Sequence, residues 1–426
     1  MNRFNISLLT LSMIFVLLNV GCSQPADTTK EKKAIFIIVD GISADVLEKV
    51  DTPNIDRIIE QGAYSRGWLG GKAGRYSQSP TVSAVGYNHV LTGVWSNKHN
   101  VYNNDISDPN YNYWNIFRLF KHNYPEKSVG VYSSWLDNRT KLIGDGLPQA
   151  GNVEIEIHYD GFDVDTLAFP HDYGYVQKID DHVATMAAQS ISSDAPYLSW
   201  VYLWYTDDTS HRYGEVEQHF ESIKVIDELV GRIWDAVQNR MENHNEDWLV
   251  LITTDHGRSL PDGRGHGGQS ERERTIWLVS NKAEMNTFFN DGHPPVTSIY
   301  PTVSRHLDLE IPETLERELD GVPMIGDVSI SDADAELLEE EKVIEVTWKA
   351  WASEGEVKIY ATTTNEFKTG GVDTYTLVAE VPISDGRARI DVAEMESNFY
   401  KIVFEAEHNT LNSWVVSETE SDTTDN

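Results

Sequence analysis

The sequence predicts an α/β protein with a central, mostly parallel β-sheet, helices on both faces of that sheet, and a small C-terminal antiparallel β-sandwich. Short apolar runs rich in β-branched residues alternate with helical segments over the larger N-terminal part of the chain. Such alternation predicts a parallel sheet between two helical layers. After about Met324 the pattern changes to short strands separated by turn residues, which predicts the sandwich.

The elements of the larger part are predicted from apolar runs and helical spacing. The expected strands are Ala34–Val39, Tyr197–Tyr205, Trp248–Thr253 and Arg272–Ser280. The expected helices include Val216–Met241, which carries apolar residues at helical spacing, and Thr297–Leu307. These elements predict one large domain over residues 34–328.

The C-terminal part is predicted to form a separate sandwich over residues 340–418. Asp332–Lys342 is expected to be an acidic helix or a linker before it. The expected strands are Val343–Trp351, Glu356–Thr364, Tyr375–Ile383, Arg387–Val392 and Tyr400–Ala406. Residues 419–426 form a polar tail that we expect to be disordered.

The charge balance excludes one class of partner. The chain has 426 residues, with 68 acidic and 34 basic side chains, and a formal net charge of −34. A protein that binds a nucleic-acid duplex needs a basic face for the phosphates, so we expect no such partner. The acidic surface is expected mainly to keep the protein soluble.

The N-terminus predicts export. Arg3 precedes an apolar run from Leu8 to Val20, which is short for a membrane-spanning helix and typical of a signal peptide over residues 1–22. The single cysteine, Cys22, follows Gly21, which resembles the processing site of a bacterial lipoprotein, although Leu18 lies one position earlier than usual. The alternative is ordinary signal cleavage nearby.

We therefore expect an exported bacterial lipoprotein in the periplasm or at the cell surface. Lipidated Cys22 would anchor it, and Ser23 favours the outer membrane. Residues 23–33 are polar and predict a tether between the anchor and the folded part.

Several separate segments carry metal-type ligands, and most of them follow an apolar strand. The candidate ligands are Asp40, Asp207, His211, Asp255, His256 and His266. In α/β sheets, functional side chains gather at the carboxyl ends of strands, so this placement matters. Taken singly, Asp40-Gly41 could be a turn and Asp207 a helix cap.

One further segment, Pro80–Gly93, places the hydroxyl of Ser83 at a predicted helix start. Backbone N–H groups at a helix N-terminus favour an anion, so this hydroxyl could meet a negatively charged group there. The alternative is that Ser83 is an ordinary helix N-cap.

Taken together and in their order along the chain, these segments resemble the motifs of the alkaline phosphatase superfamily. They are most similar to those of its type I phosphodiesterase/nucleotide pyrophosphatase branch. The resemblance extends from Ala34 to Pro323 and includes Thr52–Asp56 and Leu319–Pro323. It implies two divalent metal ions, with zinc expected. It assigns one ion to Asp40, Ser83, Asp255 and His256, and the other to Asp207, His211 and His266.

The resemblance also implies a phosphate-binding asparagine and a nucleophile. His99–Asn104 is similar to a family segment that ends in an asparagine, so Asn104 is expected to donate to a phosphoryl oxygen together with the amide near Ser83. Asn103 is an alternative, and Asn100 replaces the usual glycine. A second departure is Val85-Gly86, where diesterases commonly carry Pro-Asn.

The expected activity is hydrolysis of a small phosphate-ester substrate, a phosphodiester or a pyrophosphate, through a phosphoseryl intermediate on Ser83. The main alternative is a phosphomonoesterase, which often adds a Lys-x-Arg pair. The nearest residues are Arg139 and Lys141, in reversed order. An organic group of a diester would need an apolar wall, for which Tyr132, Trp135 and Leu136 are candidates.

The residues give less support to a sulfatase or to an inactive binding protein. A sulfatase needs Pro and Arg after its modified residue, and Ser83-Ala-Val-Gly-Tyr lacks both. An inactive binding protein would be expected to lack ligands, whereas all of the candidate ligands are present.

Overall fold

The central sheet is mixed, with five neighbouring parallel strands that reach one of its edges. Its strands are β1 (Glu31–Val39), β2 (Ala63–Trp68), β3 (Val129–Ser133), β4 (Ile157–Tyr159), β5 (Leu198–Leu203), β6 (Glu246–Thr253) and β7 (Thr275–Ser280). The computed structural model describes residues 29–416, and within them the seven strands are ordered β2-β7-β6-β1-β5-β3-β4. β7 is antiparallel to β6 and β2 is antiparallel to β7, whereas the other pairings are parallel.

Helices cover both faces of this sheet, as predicted. The helices are α1 (Ala44–Leu47), α2 (Pro53–Gln61), α3 (Ser83–Thr92), α4 (Ser96–His99), α5 (Ile116–Asn123), α6 (Tyr175–Ser193), α7 (Tyr205–Tyr213), α8 (Glu217–Asn243), α9 (Glu271–Arg274), α10 (Thr287–Asp291), α11 (Ile299–His306) and α12 (Glu313–Glu316). Alternate residues of β1 point into different apolar cores: Phe36 and Ile38 pack with α3, α5 and α11, and Ile35 and Ile37 pack with α6 and α8.

The C-terminal part forms two antiparallel sheets. Its strands are β8 (Ile330–Leu338), β9 (Val343–Ala350), β10 (Glu356–Thr362), β11 (Thr376–Pro382), β12 (Arg387–Asp391), β13 (Phe399–Glu405) and β14 (Thr410–Val416). In the described part of the chain the sheets are ordered β11-β10-β13-β14 and β12-β9-β8. Trp348 of β9 packs edge-on against Phe404 of β13, with ring centroids 6.3 Å apart, so side chains from both sheets form a common core.

Two sequence expectations need correction. The acidic segment Asp332–Lys342 is neither a helix nor a linker, because most of it lies in β8, where Ala333 and Ala335 are buried and Asp332 is exposed. The first strand also begins earlier than expected, at Glu31. Lys33 is buried at its start and donates from Nζ to the carbonyl of Ala195 at 2.6 Å.

Some predicted segments lie outside the described residues. These are the signal peptide over 1–22 with Cys22, most of the tether over 23–33, and the tail over 419–426. Within residues 29–416, no helix combines the length and the apolar character needed to cross a membrane.

Candidate active site

The candidate ligands meet because three neighbouring strands end at the same edge of the sheet. β1 lies between β6 and β5, and all three are parallel. Asp40 follows β1 directly, Asp255 and His256 follow β6, and α7, which begins two residues after β5 ends, carries Asp207. The topology therefore brings these segments together, although they are far apart in the chain.

The first ligand group consists of Asp40, Asp255 and His256, all buried, with ligand atoms within 4.8 Å of one another. Nδ1 of His256 lies 3.0 Å from the carbonyl of Gly257, an arrangement in which Nδ1 carries the proton and Nε2 is an acceptor. That nitrogen lies 3.4 Å from Oδ1 of Asp40 and 3.3 Å from Oδ2 of Asp255. Within the described residues, neither of these two oxygens has a hydrogen-bond partner.

The other carboxylate oxygens of this group are held in place by donors. The hydroxyls of Tyr87 and Tyr202 both donate to Oδ2 of Asp40, the latter at 2.7 Å. The backbone N–H of Gly41 donates to Oδ1 of Asp255 at 3.0 Å. The side chains are therefore oriented so that their unpaired oxygens point towards Nε2 of His256.

This arrangement fits a metal ion. Three acceptor atoms converge in a buried space, which is unfavourable unless a proton or a cation lies between them. Burial raises the pKa of Asp40 well above its usual range, and the nearby carboxylates of Asp207 and Asp255 add to this. Burial, with the charge of Asp207, raises the pKa of Asp255 to about 7. Carboxylate oxygens and an imidazole nitrogen are ligands that a divalent ion such as zinc accepts.

The second ligand group consists of Asp207, His211 and His266, also with ligand atoms within 4.8 Å. Asp207 and His211 lie four residues apart on α7, and Oδ1 of Asp207 is 3.3 Å from Nε2 of His211. His266 comes from the loop after β6, and its Nδ1 lies 2.9 Å from the carbonyl of Thr81, which leaves Nε2 to face His211 at 3.1 Å.

The second group is less buried than the first, because His211 is exposed and His266 is only partly buried. The hydrogen bond to Asp207 raises the pKa of His211, whereas burial lowers the pKa of His266. Burial alone would raise the pKa of Asp207, but Arg258 and His211 hold it below its usual range. The rings of His256 and His266 stack with centroids 3.7 Å apart, so the two ligand groups are adjacent.

Ser83 is the first residue of α3 and is only 7% exposed. Its Oγ lies 3.4 Å from Nε2 of His256. The other nearby hydroxyl, that of Thr81, donates to the carbonyl of Gly268 at 2.9 Å and is therefore committed to the loop that carries His266. Of the two, Ser83 is the hydroxyl that faces the first ligand group.

The departure from the family pattern at Val85-Gly86 has a local reason. A Cβ atom on Gly86 would lie 2.5 Å from the carbonyl oxygen of Asp255. The glycine therefore allows α3, which begins at Ser83, to approach the segment that carries Asp255.

Asn104 lies on the loop after α4, close to the start of α3. Its Oδ1 accepts a hydrogen bond from the backbone N–H of Ala84 at 3.0 Å. The backbone amide next to Ser83, which was expected to bind a phosphoryl oxygen, therefore already has a partner. Asn103 instead accepts from the N–H of Asp105 at 3.0 Å and closes a turn. Asn100 has φ of 64°, a left-handed conformation that accounts for glycine being usual there.

A cavity of about 360 Å³ opens beside Ser83. It is lined by Asp40, Ser83, Tyr87, Asn104, Trp135, Asp163, His171, Tyr175, Tyr202, Trp204 and Asp207. The ligand carboxylates of Asp40 and Asp207 thus lie in the same cavity as several aromatic rings. Tyr175 packs edge-on against Trp204 and stacks on His171.

Some side chains considered for this cavity lie elsewhere. Tyr132 is buried in the core, where its hydroxyl lies 2.6 Å from Oγ of Ser190, so it does not form the expected wall. Arg139 is bound by Asp145 and Asp160, and Lys141 is paired with Asp137. Among the described residues, no lysine or arginine lines the cavity.

Sequence reasoning missed several residues of the site. Tyr87 lies one helical turn after Ser83, a spacing that could have placed it on the same face of α3. Tyr202, Trp204 and Arg258 adjoin predicted ligands in the sequence or in space, but nothing in their local pattern distinguishes them from core residues.

The chain is similar in sequence to known proteins. The family model of type I phosphodiesterase/nucleotide pyrophosphatase matches residues 34–323. The human ectonucleotide pyrophosphatase/phosphodiesterase family member 7 is 25% identical over 272 residues, which cover 60% of this chain and 54% of that protein. The bis(5'-adenosyl)-triphosphatase of Xenopus laevis is 22% identical over 282 residues, covering 63% of this chain and 54% of that protein. The chain thus spans about half the length of the curated relatives it matches.

Solved structures share the fold. The phosphonate monoester hydrolase of Agrobacterium radiobacter has a TM-score of 0.51 and 12% identity, covering 85% of this chain and 90% of that one. A 2-O GAG sulfatase has a TM-score of 0.52 and 11% identity, covering 86% of both chains. Because the family model covers most of the sequence, from the first strand to the end of the predicted large domain, the chain belongs to the type I phosphodiesterase/nucleotide pyrophosphatase family.

Proposed function

We propose that the protein hydrolyses phosphodiesters or pyrophosphates through a phosphoseryl intermediate on Ser83, with two bound divalent metal ions. The observation that carries this proposal is the cavity beside Ser83, which is lined by a carboxylate from each ligand group, Asp40 and Asp207, and by aromatic side chains. Such a cavity suits a substrate with a phosphoryl group at one end and an organic group at the other.

The unpaired ligand atoms support the metal assignment. One ion would be held by Asp40, Ser83, Asp255 and His256, and the other by Asp207, His211 and His266. Zinc is the expected ion for this set of oxygen and nitrogen ligands. When bound, two such ions supply Lewis-acid stabilisation for the attacking and leaving oxygens.

The reaction would proceed in two displacements. Ser83 loses its proton to solvent, its Oγ forms a bond to phosphorus, and the bond from phosphorus to the leaving oxygen breaks. The leaving group takes up a proton from water. A water oxygen then attacks the phosphorus, the bond to Oγ breaks, and Ser83 regains its proton. Asn104 would donate from Nδ2 to a phosphoryl oxygen, because its Oδ1 is held by Ala84.

The cavity favours diesters over monoesters. A monoester brings a second negative charge, which needs a further cation, and Arg139 and Lys141 are both paired with carboxylates. A diester brings an organic group instead, for which Trp135, Tyr175 and Trp204 offer aromatic surfaces.

The test compares kcat/KM for a bis-aryl phosphodiester with that for the matching aryl monoester, in zinc-loaded protein. A diester preference of about tenfold or more is expected, since charge-assisted contacts are worth about 1.5–3 kcal/mol. Ser83→Ala should abolish turnover of both, whereas Thr81→Ser, which keeps its hydroxyl, should not. A faster monoester would replace the diesterase proposal with a phosphomonoesterase, and an active Ser83→Ala variant would exclude Ser83 as the nucleophile.

We also propose that the protein is exported and anchored to the outer membrane by lipidated Cys22. The support is in the sequence, where an apolar run precedes Gly21-Cys22 and Ser23 follows. Membrane fractions of cells expressing the full chain should contain the protein, and Cys22→Ala should release it into the soluble fraction. Unchanged membrane association of the variant would refute lipidation.

A further inference from the structure

Arg258 is a fully buried cation in contact with the second ligand group. Its Nε donates to the carbonyl of Gly41 at 3.0 Å. Its Nη2 donates to the carboxylate oxygen Oδ1 of Asp207 and approaches the backbone carbonyl of the same residue at 3.3 Å. The guanidinium therefore joins the segment after β1 to the ligand Asp207 on α7.

The oxygen that Arg258 binds is the one that faces the histidines. Oδ1 of Asp207 lies 3.3 Å from Nε2 of His211 and 4.0 Å from Nε2 of His266. A cation held by these three residues would share this oxygen with the guanidinium. Two positive charges at such a short distance repel each other, and the repulsion is large in a buried site.

The first ligand group has a different charge. Asp40 and Asp255 supply two carboxylates, and their hydrogen-bond donors are the neutral hydroxyls of Tyr87 and Tyr202 and a backbone N–H. The second group supplies one carboxylate, whose charge Arg258 already balances. The electrostatic attraction for a divalent ion is therefore stronger at the first group.

The fold keeps the guanidinium in this position. Gly41 has φ of 69°, and a Cβ atom there would lie only 2.4 Å from Nη2 of Arg258. The backbone N–H of Arg258 donates to Oγ of Ser43 at 3.0 Å, and its carbonyl accepts from Nη1 of Arg272 at 2.9 Å. Hydrogen bonds thus hold both backbone groups of Arg258, and its guanidinium packs closely against the turn after β1.

We propose that Arg258 is a positioning residue that holds Asp207 and makes the Asp207, His211 and His266 group the weaker of two metal sites. The inference rests on the proposed two-metal function. It implies that the first group binds its ion first as the free-metal concentration rises. The second group binds its ion only at a higher concentration and releases it first when the concentration falls.

The test is a titration of metal-free, full-length protein with Zn²⁺ against a chromophoric chelator of known affinity, at neutral pH. The wild type should bind two equivalents, with dissociation constants that differ by about tenfold or more. Removing a ligand from either group assigns the two steps. The weak step should disappear in His211→Ala, and the tight step should disappear in Asp40→Asn.

Substitution of the arginine then tests its role. Arg258→Met should tighten the weak step by about tenfold or more and leave the tight step unchanged, whereas Arg258→Lys should keep the weak step weak. A purely structural role would weaken both steps together. Circular dichroism verifies that each variant is folded. The assignment of the two binding steps to the two ligand groups uses His211→Ala and Asp40→Asn alone, so it does not depend on the arginine variants.

The outcomes separate this inference from the proposed function. Three outcomes would overturn the inference and leave two-metal hydrolysis intact. They are two equal dissociation constants, loss of the weak step in Asp40→Asn, and an unchanged weak step in folded Arg258→Met. Failure of the wild type to bind any zinc would overturn both.

Discussion

The backbone N–H of Ala84 donates a 3.0 Å hydrogen bond to the side-chain oxygen of Asn104. An N–H group can only donate, so the atom of Asn104 that faces it must be the oxygen, and the Nδ2 group is left to donate elsewhere. Because Ala84 follows Ser83 at the start of α3, this bond sets the distance between the proposed nucleophile and a donor for the phosphoryl oxygens.

Asn104 therefore allows a sharp test of phosphoryl binding. Asn104→Ala removes the donor, and we expect kcat to fall by about a hundredfold, the usual effect of losing one such donor. Asn104→Asp keeps an oxygen for Ala84 but places a negative charge where the donor was, so its loss should be larger. The measurement is steady-state kinetics on a phosphodiester with both variants.

The ranking of the two variants is the decisive outcome. If Asn104 only braced the helix start, Asp would preserve its hydrogen bond and outperform Ala. Near-equal melting temperatures of the two variants would confirm that the kinetic difference is not one of stability.

Removal of metal should destabilise the fold. The unpaired oxygens of Asp40 and Asp255 are buried, and without a cation they must be protonated or repel each other. At free zinc roughly 1,000-fold above the dissociation constant, binding adds about 4 kcal/mol to the free energy of unfolding. Thermal unfolding with zinc and with EDTA should differ accordingly, and the change should be reversible.

A matched pair of variants controls for nonspecific effects of EDTA. Asp40→Asn should lose most of the zinc-dependent stabilisation. Asp163→Asn should keep it, because Asp163 lines the same cavity but belongs to neither ligand group. Equal stabilisation of both variants would contradict the assignment of Asp40.

The aromatic side of the cavity should contribute to binding of the organic group. Tyr175 lines the cavity beside Trp204, whereas Tyr173 is 81% exposed and lies outside it. Tyr175→Ala should raise KM for a bis-aryl phosphodiester by about fivefold, since aromatic contacts are worth about 0.5–1.5 kcal/mol. Tyr173→Ala should leave it unchanged. An equal effect of both substitutions would indicate a general loosening of this segment.

How much of the fold the sequence predicts depends on the type of strand. β1, β5 and β6 are buried on both faces and appear as continuous apolar runs, which made them predictable. β8 was missed because its buried positions include the alanines of Asp332-Ala-Asp-Ala, whose acidic neighbours suggest a solvated segment. Small apolar side chains give too weak an alternation to distinguish a strand from a linker.

The residues of the candidate active site also differ in how far the sequence predicts them. Asp40, Asp255 and His256 lie in short motifs at strand ends, and the family resemblance built on those motifs is confirmed by the family model. The roles of the individual residues stay predictions. Arg258 and Tyr202 could not be predicted, because their contacts with Gly41 and Asp40 depend on how the segments after β1 and β6 pack against each other and against β5.

A buried ion network connects the C-terminal sheets to the segment after α3. Nζ of Lys401 on β13 is bound by Glu318 and Asp373. Two residues after Glu318, Asp320 accepts from Nζ of Lys98 at 2.6 Å and from the backbone N–H of Trp95 at 3.0 Å. Lys98 lies on α4, which precedes the loop that carries Asn104, so the C-terminal sheets support that loop through these contacts.

Lys401→Met should therefore destabilise the whole protein. It would leave the carboxylates of Glu318 and Asp373 buried without their cation, and breaking a buried ion pair in this way costs about 3–5 kcal/mol. Urea unfolding measures the loss. The matched control is Lys358→Met on the neighbouring strand β10, where the side chain is exposed and the expected change is within about 0.5 kcal/mol. If the C-terminal sheets were an independent module, Lys401→Met would give a separate early transition, and the rest of the protein would unfold as before. If the sheets stabilise the active-site loop, the variant should show a single transition shifted to lower urea and a reduced kcat before it unfolds.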